Sequence, residues 1–232
     1  MAELSDLVGV CVGDDAQVEQ VCGDMWGHLP PSAVLVVHST VAPATCTRVG
    51  ALAAEHGVEV LDAPVSGGRA RAFDGDLTVM VGGAPEVFER ARPVLDAVGS
   101  LVRHVGPLGS GEALKLVNNY LFTAQLGVLD EAVGLLRALG MDPREAVTAI
   151  ASSTGGSRAA QMFVAGGGEH VVPRHREGWT RGLELLRKDL GLLDERLDAV
   201  GVVAPGLLDR LVRHGLRAFR DAAETETGSP TG

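Results

Sequence analysis

Five short, valine-rich runs, set apart by segments long enough for a helical crossover, constrain this chain more than any other feature. They are Leu7–Val12, Ala33–Val37, Val58–Asp62, Leu77–Val81 and Leu101–Val105. The first two are apolar throughout, without the polar alternation of a strand that has one face in water, so they read as strands buried on both faces. Between them the helix signals recur. Asp14 or Asp15 caps a segment running through Gln17 to Cys22, Pro43 opens one reaching about His56, and Pro85 opens another. Strands alternating with helices predict a doubly wound, mostly parallel sheet with its ligands beyond the carboxyl ends of the strands.

From about Pro107 the strand pattern stops. Residues 111–139 carry Leu114, Val117, Leu121, Leu129, Val133 and Leu136 at helical spacing, and Gly140 ends the run. Asp142-Pro143 caps and starts the next helix, Gly166-Gly167-Gly168 and Pro173 mark a loop, a helix resumes from Thr180 to Leu197, and Pro205 begins the last. The expected organisation is therefore an α/β part over residues 1–107, an all-helical part over 108–224 and a disordered polar tail at 225–232.

Composition removes several function classes. A net charge of −10 and a pI near 5.1 argue against nucleic acid or an acidic membrane surface, and 3% aromatic residues leave little for stacking on bases. Cys11, Cys22 and Cys46 have no paired spacing, and the histidines show no HxxxH arrangement, with His170 and His175 flanking a proline. No metal site is expected, and the free thiols suggest a reducing, cytoplasmic setting. No run approaches the roughly 18 apolar residues of a membrane span, and the acidic start does not read as a signal peptide.

Two stretches carry chemistry. In Gly109-Ser110-Gly111-Glu112-Ala113-Leu114-Lys115-Leu116-Val117-Asn118-Asn119 a glycine-rich turn enters the long helix. Lys115 and Asn119 are four apart and share a helix face, where an amine and an amide can hold and protonate one hydroxyl or carbonyl oxygen. In Asp62-Ala63-Pro64-Val65-Ser66-Gly67-Gly68 a hydroxyl stands beside two glycine amides, a small donor set suited to a carboxylate; a flexible loop would have the same composition.

Together with Ala72-Phe73-Asp74-Gly75-Asp76-Leu77-Thr78-Val79-Met80-Val81-Gly82-Gly83 and the later Lys188-Asp189-Leu190, these stretches resemble, in order, the motifs of the β-hydroxyacid dehydrogenases. This is the family of 3-hydroxyisobutyrate dehydrogenase and tartronate semialdehyde reductase. The resemblance implies an incomplete Rossmann-like sheet followed by an all-α domain of 6-phosphogluconate-dehydrogenase type. It implies hydride transfer between NAD or NADP and a small β-hydroxy acid or its semialdehyde, of the 3-hydroxyisobutyrate or 2-hydroxy-3-oxopropionate type. Lys115 becomes the general acid/base, with a pKa lowered by burial or by a cation such as Lys188, and Asn119 orients the reacting oxygen. Ser66, Gly67 and Gly68 grip the carboxylate. Thr40 and Lys188 match cofactor-side residues, and Val12-Gly13 stands where the family usually has a Leu-Pro pair beside the dinucleotide.

Measured against that family, the chain lacks the strand, GxGxxG turn and helix that seat a pyrophosphate, and Leu7–Val12 is expected to form an apolar sheet edge. Two readings follow: an active dehydrogenase whose start lies upstream, or a shortened, non-catalytic relative serving as a dimeric scaffold or carboxylate-binding module. The long helix is apolar around much of its girth, which predicts a homodimer or homotetramer.

Overall fold

A computed structural model describes residues 5–168 and 179–224. The expected tail at 225–232, Pro173, His170 and His175 lie outside them. The chain divides into two compact units, Met1–Val117 and Asn118–Gly232.

The first unit is a six-stranded sheet with helices on both faces. Strand β1 (Leu7–Val10) leads through α1 (Asp15–Met25) to β2 (Val34–Val37), and α2 (Pro43–Glu55) leads to β3 (Glu59–Asp62). These strands pair in parallel, in the order β1-β2-β3. Asp14 is the cap of α1, accepting the Gln17 N–H at 2.9 Å. Asp15 reaches across instead, accepting from the Ala42 N–H at 2.9 Å and the Thr45 hydroxyl at 2.5 Å. Strand β2 shows why its run is uniformly apolar: Leu35 and Val37 enter a core with Val18, Cys22, Cys46 and Val49, while Val34 and Val36 enter a second with Leu61, Val81, Phe88 and Leu95. Alternate side chains leave opposite faces, and helices cover both.

Beyond Asp62 the mostly parallel sheet takes in short antiparallel pairings. A two-residue strand, β4 (Val65–Ser66), follows β3 at once, and then come α3 (Gly68–Phe73), β5 (Thr78–Gly82), α4 (Pro85–Val98) and β6 (Leu101–Gly106). Asp62 pairs with Gly82, and Val65 and Ser66 with Val79 and Thr78, all antiparallel, while β6 runs parallel to β5. The Pro64 carbonyl accepts the Met80 N–H at 3.1 Å, so residues 62–66 form one bent ribbon along β5. So short a strand, with a proline before it, carries no periodic signal of its own. As expected, β1 is an edge strand among the described residues.

Helix α5 (Ser110–Ala138) begins in the first unit and continues into the second, where α6 (Pro143–Ala151), α7 (Arg158–Ala165), α8 (Trp179–Ala199) and α9 (Gly206–Glu224) follow. It ends on Gly140 at φ +75, with the Gly140 N–H donating to Arg137 O and the Met141 N–H to Leu136 O. That is the Schellman arrangement expected of a C-terminal glycine. Asp142 then caps α6 with Pro143 in its first turn. The core of the second unit gathers Leu126, Leu129, Val147, Phe163, Leu183 and Phe219.

Candidate active site

Three of the candidate residues of the first unit, Val12, Gly13 and Thr40, lie just beyond the ends of its parallel strands β1 and β2. The Val12 N–H donates to the Ser39 Oγ at 2.6 Å, which ties the turn after β1 to the turn after β2. Val12, Gly13 and Thr40 are thereby brought to the ends of two adjacent parallel strands, and the buried Ser39 holding them together was not singled out from the sequence. Beside them His38 is half buried, and its Nδ1 lies 2.8 Å from Ala63 O. A carbonyl only accepts, so Nδ1 carries the proton. Burial pushes the His38 pKa below its ordinary value, outweighing the hydrogen bond to Ala63, which raises it.

Ser66, Gly67 and Gly68 lie at the junction of β4 and α3. Gly67 has φ +147 and Gly68 φ +76, and a Cβ on Gly67 would sit 2.8 Å from Leu77 Cδ2, so the backbone here needs glycine. The Ser-Gly-Gly segment is an ordered turn between two elements.

The entry to α5 is held by Asp62, which is fully buried. Its Oδ1 accepts the Gly109 N–H at 2.6 Å and its Oδ2 the Glu112 N–H at 2.8 Å. Burial pushes the Asp62 pKa up, and these backbone hydrogen bonds oppose that shift. Gly111 fits against the same carboxylate, since a Cβ there would meet the Met80 carbonyl and lie 2.8 Å from Asp62 Oδ2. Glu112, equally buried, turns its side chain the other way, and its Oε2 accepts the Val41 N–H at 3.2 Å. Lys115 follows one turn later, half buried.

In the second unit, Asn119 is buried and its Nδ2 donates to Asp189 Oδ2 at 2.6 Å, while its Oδ1 accepts from Asn118 at 3.1 Å. Asp189 Oδ1 lies 3.3 Å from Lys188 Nζ. One buried carboxylate thus joins Asn119 to Lys188. Among the described residues the buried acidic side chains are Asp62, Glu112 and Asp189, and each is bonded to a segment that the sequence had marked. A second signal lay unused in the composition. Lys115 and Lys188 are the only two lysines, and every other cationic side chain of the Lys/Arg type is arginine.

The donor set fits a dinucleotide in part. The ends of β1 and β2 bring Thr40 beside the Val12-Gly13 turn, whose two amides donate to Ser39 and Gln17 within the protein, and β1 is not followed by a glycine turn of the kind that seats a pyrophosphate. Among the described residues no group of three or more His, Cys, Asp or Glu is placed to hold a metal ion, and no helix is long and apolar enough to cross a membrane.

Known families and proteins resemble both parts of the chain. Residues 1–106 match the NAD-binding domain of 6-phosphogluconate dehydrogenase, and residues 109–227 the NAD-binding family of NADP-dependent 3-hydroxyisobutyrate dehydrogenase. The chain is 34% identical to the NAD-dependent L-serine dehydrogenase of Pseudomonas aeruginosa over 81% of its own length and 66% of that protein's. It is 35% identical to the 3-hydroxyisobutyrate dehydrogenase of the same organism, over 91% and 69%. It thus spans about two thirds of the length of these relatives. Among solved structures, the 3-hydroxyisobutyrate dehydrogenase of Salmonella typhimurium superposes with TM-score 0.75 at 28% identity, covering 98% of this chain and 76% of that one. The Mycobacterium tuberculosis 3-hydroxyisobutyrate dehydrogenase, solved with L-serine, gives 0.73 at 27%, with the same coverage. With two family models together matching nearly the whole chain and a 35% identical relative covered over 69% of its length, the chain belongs to the β-hydroxyacid dehydrogenase family.

Proposed function

We propose that the chain interconverts a small β-hydroxy acid and its semialdehyde, of the 3-hydroxyisobutyrate or 2-hydroxy-3-oxopropionate type, with NAD or NADP. The observation that carries this reading is that the two lysines of an otherwise all-arginine chain stand at Lys115 and Lys188, the two positions where the family's chemistry asks for an amine. An amine can change protonation state at an accessible pH where a guanidinium cannot. Homology supports the oxidoreductase chemistry: a 3-hydroxyisobutyrate dehydrogenase and an L-serine dehydrogenase are among the relatives.

Bound NAD(P) supplies the hydride acceptor in oxidation and the donor in reduction. In oxidation the carbinol carbon gives up its hydride while Lys115 takes the hydroxyl proton; in reduction Lys115 returns it to the carbonyl oxygen. Asn119 holds that oxygen, its amide steadied by Asp189. Ser66, Gly67 and Gly68 bind the carboxylate. Val12, Gly13, Thr40 and Lys188 form the cofactor side, with Lys188 oriented by Asp189.

Lys115→Ala is expected to lower the rate of hydride transfer by about 10²–10⁴-fold, the usual worth of a general acid/base. NAD(P)H absorbance with 3-hydroxyisobutyrate and L-serine as substrates measures it, and a variant within a few-fold of wild type would remove Lys115 from the mechanism. A second reading is a dimeric carboxylate-binding module without turnover, for which the ordered Ser66-Gly67-Gly68 turn alone would suffice. Titration with NAD and NADP against tryptophan fluorescence separates the two, because a module binds neither cofactor yet melts cooperatively.

A further inference from the structure

The segments assigned above to cofactor, proton transfer and substrate are joined by a short line of hydrogen bonds through two side chains that the mechanism does not use. The Val41 N–H, next to Thr40, donates to Glu112 Oε2 at 3.2 Å. The Glu112 N–H donates to Asp62 Oδ2 at 2.8 Å, and the Gly109 N–H to Asp62 Oδ1 at 2.6 Å. From Asp62 the chain runs directly into the ribbon that ends at Ser66. Both carboxyl groups are fully buried, a costly arrangement for acids, and each faces main-chain amides that repay part of that cost.

A mere helix cap would need only one of these groups. Asp62 already satisfies two of the orphan N–H groups at the start of α5. The Glu112 carboxylate reaches beyond the helix to hold the loop after β2. The glycines are matched to the same purpose. A Cβ on Gly82 or Gly111 would strike Asp62, so the packing leaves the carboxylate one position.

We propose that Asp62 and Glu112 are positioning residues, a two-carboxyl latch that locks the Thr40 loop and the Ser66 ribbon to the first turn of α5 and so fixes where the Lys115 amine points. This rests on the functional reading of Lys115, Thr40 and Ser66. Lys115 lies three residues after Glu112, so any rotation or slip of that first turn carries the amine with it. Misplacement by about 1 Å is enough to cost up to about 10²-fold in rate.

The composition provides a probe that needs no turnover. Lysine isotope-labelled at Cε gives two signals in the intact chain, with Lys188→Arg assigning them. In ligand-free protein that melts as wild type does, Glu112→Ala is expected to move the Lys115 signal and leave that of Lys188 in place. Glu112→Gln, whose amide oxygen still accepts from Val41, is expected to restore the wild-type position. Asp62→Asn is expected to move the Lys115 signal further, since an amide opposes one N–H with another. Where turnover is measurable, Glu112→Ala is expected to lower kcat about tenfold or more with KM within about twofold, and Glu112→Gln to recover most of it.

An unmoved Lys115 signal in Glu112→Ala overturns the latch. So does a Glu112→Gln variant as displaced as the alanine, or signals that both move together with loss of cooperative melting. Should Asp62→Asn fail to fold, the Glu112 pair decides alone. Adding 3-hydroxyisobutyrate or L-serine, with NAD or NADP, tests the functional reading separately: if neither lysine signal of the wild type responds, that reading fails, while the ligand-free spectra still judge the latch.

Discussion

At the scale of single residues, the glycines and the buried ionisable groups make the sharpest claims. Gly111→Ala puts a methyl group against the Met80 carbonyl and the Asp62 carboxylate, neither of which can retreat. It should cost about 1–3 kcal/mol by overpacking, read as a lower midpoint in thermal or urea unfolding. His38 sets a pH dependence. Its folded pKa lies below the ordinary 6.5, so as pH falls through that value the unfolded chain takes up a proton that the folded chain refuses, and stability drops. Melting between pH 7 and 5 should therefore fall more steeply for wild type than for His38→Asn, which keeps a donor for Ala63 O but does not titrate; parallel curves would refute the assignment. Much of this was readable beforehand. Lys115, Asn119 and the Ser-Gly-Gly turn stand in motifs, because the proposed chemistry asks for particular residue types at fixed spacing. Ser39, Asp62, Glu112 and Asp189 act through partners 27 to 71 residues away, and a linear sequence does not display such pairings. Three of the four nevertheless lie inside stretches already quoted, which shows where unexplained acidic residues should be sought.

At the scale of elements, α5 and its neighbours make two further tests. Leu114, Leu121, Val128 and Leu135 are exposed and fall seven residues apart, flanked by exposed Val117 and Leu139. A seven-residue apolar repeat on one helix is the seam of a helix–helix pairing, so we expect a second copy of the chain to cover it. Leu121→Glu together with Val128→Glu should shift sedimentation towards monomer without loss of helix, and a wild type that is monomeric throughout a concentration series would end the idea. On another face α5 meets α9 at a glycine pair: a Cβ on Gly215 would strike the Thr123 carbonyl and come 3.0 Å from Gly127 N. Helix propensity alone favours Gly215→Ala by about 1 kcal/mol, whereas the contact makes it destabilising by about 1–3 kcal/mol. Gly191→Ala in α8, with nothing within 4 Å, should show the opposite sign. Elements long enough to repeat their pattern were legible in order and kind. The two-residue β4 was not, nor was the break at 152–157 that separates α6 from α7, where Ser157 caps a new helix on the Ala160 N–H at 3.1 Å.

At the scale of the molecule, the boundary between the compact units falls at Val117, beyond the change of sequence character at Pro107, because the Asp62 and Glu112 bonds hold the first turn of α5 to the sheet. A break in pattern marks where an element type changes, and tertiary bonds decide which unit owns the residues that follow. The lysine economy of the chain has an outcome of its own. An endoprotease that cuts only after lysine has two places to act, one within α5 and one within α8, and neither bond can enter a protease cleft until its helix opens. Digestion under native conditions would therefore time the local opening of two helices, one from each unit, through fragments ending at residues 115 and 188.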